Sequence, residues 1–177
     1  MKKFIALALI SVFVSVFAIS CEENEDYNFN YEFEEIGQIL TITQPVYIEG
    51  TRSGDTDSLL LVAQYKVDEN KVIDFKIQAV TNGIAEDLDM ATEEVRLALI
   101  ERLGENFTDL ETLEQAELQA TEDLGLADCL DQCRKDYTDE NGNKMKGRGV
   151  CKFECWTKAV IKVLKEIAEI IFPFLKK

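Results

Sequence analysis

The chain has 177 residues, 34 Asp+Glu against 19 Lys+Arg, no histidine, 9 Gly and 2 Pro, and 46% of it is hydrophobic. This is a globular composition, which excludes collagen-like and wholly disordered chains. A formal charge of −15 repels phosphate backbones and argues against nucleic-acid binding, and the missing histidine removes the usual general base and the commonest metal ligand.

The chain opens with Lys2 and Lys3, an apolar run from Phe4 to Phe17 broken only by Ser11 and Ser15, and then small residues. Charge, apolar stretch and small residues are the three parts of a secretory signal, expected over residues 1–20. The apolar run is shorter than the roughly 20 residues that span a bilayer. Ala18-Ile19-Ser20-Cys21 resembles a bacterial lipobox, with Ala18 where leucine is usual. The resemblance implies that Cys21 is acylated, palmitate included, and becomes the first mature residue, making the lipid bilayer a partner. Two or three acyl chains at roughly 0.8 kcal/mol per buried CH₂ anchor stably. The acidic cluster Glu22-Glu23-Asn24-Glu25-Asp26 behind such a cysteine looks like the surface-export signal of Bacteroidota lipoproteins. That likeness implies an outer-membrane protein facing the cell exterior. It covers residues 1–26 and carries no activity.

Residues 21–35 are expected to be an acidic tether. Tyr27, Phe29, Tyr31 and Phe33 alternate with polar residues there, a pattern that suits an edge strand as well as a tether that docks by its aromatics. Residues 36–82 read as a small β region. Ile39 to Thr43 and Val46 to Ile48 precede a turn-rich stretch at Glu49–Asp55, and Leu59–Val67 is a β-rich run. After the polar turn Asp68-Glu69-Asn70-Lys71, the run Val72–Val80 has period two, which places Ile73, Phe75, Ile77 and Ala79 on one face. The last two runs form a hairpin, and a lone hairpin is marginal in water, so the downstream helices are expected to cover it. Asp57-Ser58-Leu59 resembles the short O-glycosylation motif of Bacteroidota secreted proteins, which implies a possible glycan on Ser58.

Residues 84–177 read as helical. In the first helix Leu88, Ala91, Val95, Ala98, Leu99 and Leu103 share a face, Asp87 or Asp89 suits the start and Gly104 the end. The second opens on Thr108-Asp109-Leu110-Glu111, a capping-box pattern, with a weaker stripe of Leu110, Leu113, Glu117 and Leu124 and Gly125 at its close. The third runs from Leu126 to Tyr137, a polar loop spans Thr138 to Gly149, and the fourth runs from Val150 to Phe172 and stops at Pro173. Residues 86–140 carry net −14 and residues 144–177 net +6. The basic last helix is therefore expected to pack on its acidic predecessors, with exposed pairs that orient more than they stabilise.

The cysteines are the most specific signal. Cys129 and Cys133 are four apart, as are Cys151 and Cys155, and with Cys21 lipidated an even number remains. An oxidising compartment makes disulfides the default, with three pairings open. Positions i and i+4 share a helix face, so two antiparallel helices would bring Cys129 to Cys155 and Cys133 to Cys151. Residues 126–160 resemble α-hairpinin and CHCH-like scaffolds, which imply a stapled helical hairpin, here over 126–172, and no activity. Zinc is the alternative, although zinc sites favour CxxC spacing and often a histidine. Asp139, Asn141 and Asn143 have the spacing of an EF-hand start, but Lys144 and Val150 stand where glycine and glutamate are needed.

The expected fold is therefore α+β: a small antiparallel hairpin or meander followed by helices. No catalytic residue, metal ligand or cofactor is expected. Beyond residue 20 the only serines are Ser53 and Ser58, no histidine can serve them, and no phosphate loop appears. The last helix has a stripe of Lys158, Lys162, Lys165, Glu166 and Glu169 on an otherwise apolar cylinder. It reads as a core helix with one wet side, or else as a membrane-surface helix or one that binds a partner. The functional expectation is a non-catalytic interaction module with an unknown protein or glycan partner. The alternative is a membrane-active, toxin-like cationic hairpin with an acidic neutralising segment.

Overall fold

The computed structural model describes residues 30–34, 38–46, 58–115 and 124–175. Five strands, β1 (Asn30–Glu34), β2 (Ile39–Val46), β3 (Ser58–Lys66), β4 (Lys71–Thr81) and β5 (Ile84–Asp87), form one antiparallel meander in chain order. Four helices follow: α1 (Asp89–Leu103), α2 (Leu110–Gln115), α3 (Leu126–Asp136) and α4 (Arg148–Leu175). The fold is α+β, and its sheet and helices share one core.

Period-two patterning decides which sheet face the helices cover. Leu40, Ile42 and Val46 of β2, Leu59, Leu61, Ala63 and Tyr65 of β3, and Phe75 and Ile77 of β4 are buried. Their neighbours Ile39, Thr41, Thr43, Leu60, Val62 and Gln64 are only partly covered. Pro45, which has no N–H to give, is the penultimate residue of β2 and stands outside the Ile39–Thr43 stretch paired with the described part of β1. On β4, the amides outside the reach of β5 find other partners: Val72 N donates to Thr108 O (2.9 Å) and Ile77 N to the Thr92 hydroxyl (2.9 Å).

Two β features differ from the sequence reading. The pairing of β3 with β4 shifts between Gln64 and Tyr65, so that Gln64 faces Asp74 and Tyr65 faces Val72. Ile73 is the extra residue of this bulge and is 43% exposed, while Val72 takes the core position. The chain also turns back once more before the helices. Asn82 and Gly83 both have positive φ, the requirement of a tight hairpin turn, and β5 follows within the stretch read as helical. Within the expected tether, residues 30–34 form edge strand β1, in register with β2.

α4 crosses the covered face and is the centre of the core. Phe153, Trp156, Val160, Ile161, Val163 and Leu164 are buried, whereas Lys158, Lys162 and Glu166 are exposed. This is the arrangement of a core helix with one wet side. Trp156 meets Phe75 edge-on at 5.7 Å, Phe153 stacks on Tyr65 at 4.9 Å, and the Trp156 indole N–H donates to Phe107 O (2.9 Å). Gly149 lets α4 approach the sheet, since a Cβ there would lie 2.7 Å from the Tyr65 hydroxyl. The backbone stays helical past Pro173 to Leu175 rather than stopping. Proline forfeits its own N–H bond and crowds one carbonyl, a local cost near the end of a 28-residue helix.

Helix ends differ in detail from expectation. α1 buries Ala91, Val95, Leu99 and Leu103 and ends at Gly104, but Leu88 stands at its N-cap with no side-chain cap. Asp87 instead accepts bonds from Gln78 and Lys76 across the β4–β5 pair. At α2 the cap is Asp109, whose Oδ1 accepts from the amides of Glu111 (3.1 Å) and Thr112 (3.0 Å). Thr108 is occupied through its carbonyl at β4, and Glu111 turns toward α4.

Candidate functional site

Two polar constructions converge on the first turns of α4. The first is sulfur. α3 and α4 run antiparallel and are joined by Cys129–Cys155 and Cys133–Cys151, with Cα separations of 5.7 and 5.8 Å. This is the pairing that i, i+4 thiols on antiparallel helices require. Cys133 and Cys155 are buried, and Cys129 and Cys151 half-buried. Leu126 and Leu130 fill the space beside them.

The second is a buried ion-pair cluster. α2 presents Glu111 and Glu114 at i, i+3, and α4 presents Arg148 and Lys152 at i, i+4, so each pair shares one helix face. Lys152 Nζ lies 2.5 Å from Glu114 and 3.2 Å from Glu111, Arg148 pairs with Glu114, and Lys144 reaches Glu111 at 2.7 Å. The side chains of Lys152 and Glu114 are 2% and 7% exposed. The acidic and basic zones therefore do meet, but partly through buried pairs rather than the exposed ones expected. Arg102 of α1 and Glu166 of α4 (2.5 Å) pair with the opposite polarity.

The electrostatics follow from these contacts. Hydrogen bonding from Lys144 and then Lys152 holds the Glu111 carboxyl down at about 2, against some burial. Burial pushes Glu114 up, but its bonds from Arg148 and Lys152 outweigh it and leave the carboxyl below its ordinary value. Tyr65 hydrogen-bonds Asn70 Oδ1, and Asn70 Nδ2 donates to Glu111 (2.8 Å). Burial, with the charge of Glu111 behind it, pushes the Tyr65 phenol upward. These groups neutralise one another and position α2. Helical spacing of Glu111/Glu114 and Arg148/Lys152 was the sequence signal for this cluster, and the tally of charge by zone concealed it.

The polar loop before α4 is shaped by Asp139. Its Oδ1 accepts the amides of Asn141 (2.9 Å) and Asn143 (2.8 Å), and its Oδ2 accepts Asn143 Nδ2 (3.0 Å). The carboxylate thus folds its own loop as an Asx turn. Arg148 also donates to Thr138 Oγ1 (3.2 Å), which ties the loop to the ion-pair cluster.

The remaining sequence-derived sites fall elsewhere. Cys21, the 1–20 signal, the acidic cluster, Ser53 and Asp57 lie outside the described residues. Ser58 opens β3 opposite Val80, far along the sheet from the turn at Asn70. Among the described residues no helix is long and apolar enough to cross a membrane. Comparison with protein-family models, with curated proteins and with solved structures finds no match.

Proposed function

We propose that this chain is a non-catalytic cell-envelope lipoprotein, fixed in the outer membrane through acylated Cys21 and serving as an interaction module for a protein or glycan on the cell exterior. The observation that carries this reading is Ala18-Ile19-Ser20-Cys21 behind an apolar leader and ahead of Glu22-Glu23-Asn24-Glu25-Asp26. The fold supports it in two ways. Two disulfides suit an oxidising compartment, and they pair four of the five cysteines, leaving Cys21 as the odd one. The buried charges are matched to one another in ion pairs, as in a scaffold, rather than offered to a substrate.

Intact mass and metabolic palmitate labelling in the native host test the anchor. The expected result is cleavage before Cys21, two or three acyl chains on it, and loss of label in Cys21→Ser. An unprocessed leader, or label retained in Cys21→Ser, rejects the reading. Protease shaving of intact cells then tests the outward orientation, with digestion of the chain expected and full protection opposing it.

The membrane-active alternative rested on the net +6 zone. Lys144, Arg148 and Lys152 of that zone are engaged by Glu111 and Glu114, and the apolar residues of α4 from Phe153 to Leu164 are buried in the core. Oxidised Cys21→Ser protein is accordingly expected to leave anionic vesicles intact, and dye release from them would favour the alternative.

A further inference from the structure

α1 carries apolar residues on two opposite sides. Ala91, Val95, Leu99 and Leu103 are buried in the core, while Met90 and Leu97 stand outside, 61% and 52% exposed. Glu94 and Glu101 are exposed as well. Met90, Glu94, Leu97 and Glu101 are spaced i, i+4, i+7, i+11, which at 3.6 residues per turn places them within about 60° of arc on the outward side of the helix. Apolar and acidic residues thus alternate along one line, and each kind recurs every seven residues.

The charge of this line is not neutralised within the fold. Both cations of α1 are turned to other partners. Arg96 lies 4.9 Å over the Phe75 ring and 3.6 Å from Glu93, and Arg102 pairs with Glu166. Among the described residues neither Glu94 nor Glu101 has an ion-pair partner, whereas Glu111 and Glu114 are each held by two cations.

Charge selects the occupant of such a strip. A second copy fits badly: parallel α1 helices would set glutamate against glutamate, and antiparallel ones would press glutamate onto Met90 and Leu97. The longer segments past Cys21 that lie outside the described residues, 22–29, 47–57 and 116–123, are each net acidic, so none complements the strip. An anionic bilayer is repelled by it. A helix whose apolar residues also recur every seven positions, flanked by cations, matches it in both spacing and sign.

We propose that the outward line of α1 is a docking strip for a basic amphipathic helix of a partner protein, with apolar residues against Met90 and Leu97 and lysine or arginine beside Glu94 and Glu101. This deepens the reading of the chain as an interaction module, and it rests on that reading for the existence of a partner. The line is about 17 Å long, so the contact belongs with weak, reversible encounters.

The test titrates the oxidised full chain in a neutral detergent with a synthetic peptide three heptads long, enough to be helical alone. Leucine recurs every seven residues in it, and lysine follows each leucine by four. The expected result is a shift of the α1 amide resonances on binding, with affinity that falls as salt is raised. Glu94→Lys/Glu101→Lys changes two exposed positions and should weaken the basic peptide at least about tenfold. The same variant should instead bind a peptide with glutamate in place of lysine, which the natural chain should not. Leu97→Gln should lose binding while the urea midpoint stays unchanged. No binding of the basic peptide by the natural chain, equal binding of a scrambled peptide of the same composition, or no exchange of preference in the double variant overturns the proposal. A dimer joined through α1 at micromolar concentration overturns it as well. Acylation and protease shaving report on the anchor alone, so failure of the strip leaves the anchor standing, and an unanchored chain leaves the strip intact.

Discussion

α1 and α3 both lie against α4, and they are held there by different forces. α1 spends 15 residues burying Ala91, Val95, Leu99 and Leu103, and adds the Arg102–Glu166 pair at its end. α3 has 11 residues and buries Leu126, Leu130 and Cys133. Each buried apolar side chain contributes roughly 1.5–3 kcal/mol, while fixing each backbone residue costs about 1–2 kcal/mol. On that comparison neither helix is held by its own buried side chains alone, and α3 differs from α1 in having two covalent links to α4 that lower the cost of ordering it. The lesson is that equally thin packing is supplemented by sulfur in one helix and by the surrounding core in the other.

The largest expected effect strikes both helices at once. Trp156 is fully buried between β4 and the helical layer, and its indole N–H is satisfied by Phe107 O. Trp156→Ala should lower stability by about 4 kcal/mol in urea unfolding. A loss near 1 kcal/mol would mean that α4 does not carry the shared core.

Next comes the charge cluster. Glu114→Ala leaves the buried Arg148 without its carboxylate and Lys152 with only Glu111 opposite, and this loss of compensation should cost about 3 kcal/mol. The double variant Glu114→Ala/Lys152→Met should recover the share of that loss that belongs to Lys152. Failure to recover would show that packing of the glutamate stem, rather than charge, was removed. Disulfide removal separates α1 from α3 more directly. Cys129→Ser/Cys155→Ser and Cys133→Ser/Cys151→Ser open loops with separations of 26 and 18 residues, and each should cost about 2–3 kcal/mol. Hydrogen exchange should accelerate in α3 while α1 keeps its protection. Equal acceleration in both helices would remove the distinction between them.

Acid sharpens the same junction. The Glu111 carboxyl is depressed from 4.5 to about 2 in the folded chain, so its contribution is complete above 4.5 and disappears as pH falls from there toward 2. The urea midpoint should drop through that window, and Glu111→Gln should flatten the drop. The carboxylate is partly open to solvent, so the slope should be shallow and should weaken further in salt.

How much of this was legible in the sequence depends on the range of the interaction. The i, i+4 cysteines and the Ala91–Leu103 stripe are local patterns, and the structure uses them as read. The β5 hairpin was also local, written in Asn82-Gly83, and was obscured by the helical pattern that begins a few residues later. The cap of α2 is Asp109 rather than Thr108 because the helix opens at Leu110, one residue later than the capping-box pattern implies. The Glu111–Glu114 cluster is half legible. Each pair shares a visible helix face, but their meeting depends on how α2 and α4 pack.

Ile73 provides the finest comparison, within a single strand. Period two from Val72 to Val80 assigns Ile73 to the same face as Phe75 and Ile77, and by that reading all three are core. The shift at Gln64/Tyr65 inserts one extra residue opposite β3, so alternation is broken between Val72 and Asp74, and Ile73 moves outward. Phe75 remains buried, in edge contact with Phe107 and Trp156, and lies under the Arg96 guanidinium. Phe75→Ala should therefore cost about 3–4 kcal/mol, and Ile73→Thr should stay within about 0.5 kcal/mol. A bulge is a property of pairing between two strands, so a hydrophobic pattern on one strand cannot reveal it. If Ile73→Thr costs as much as a core truncation, the strand runs in unbroken register and Val72, not Ile73, is the residue left outside.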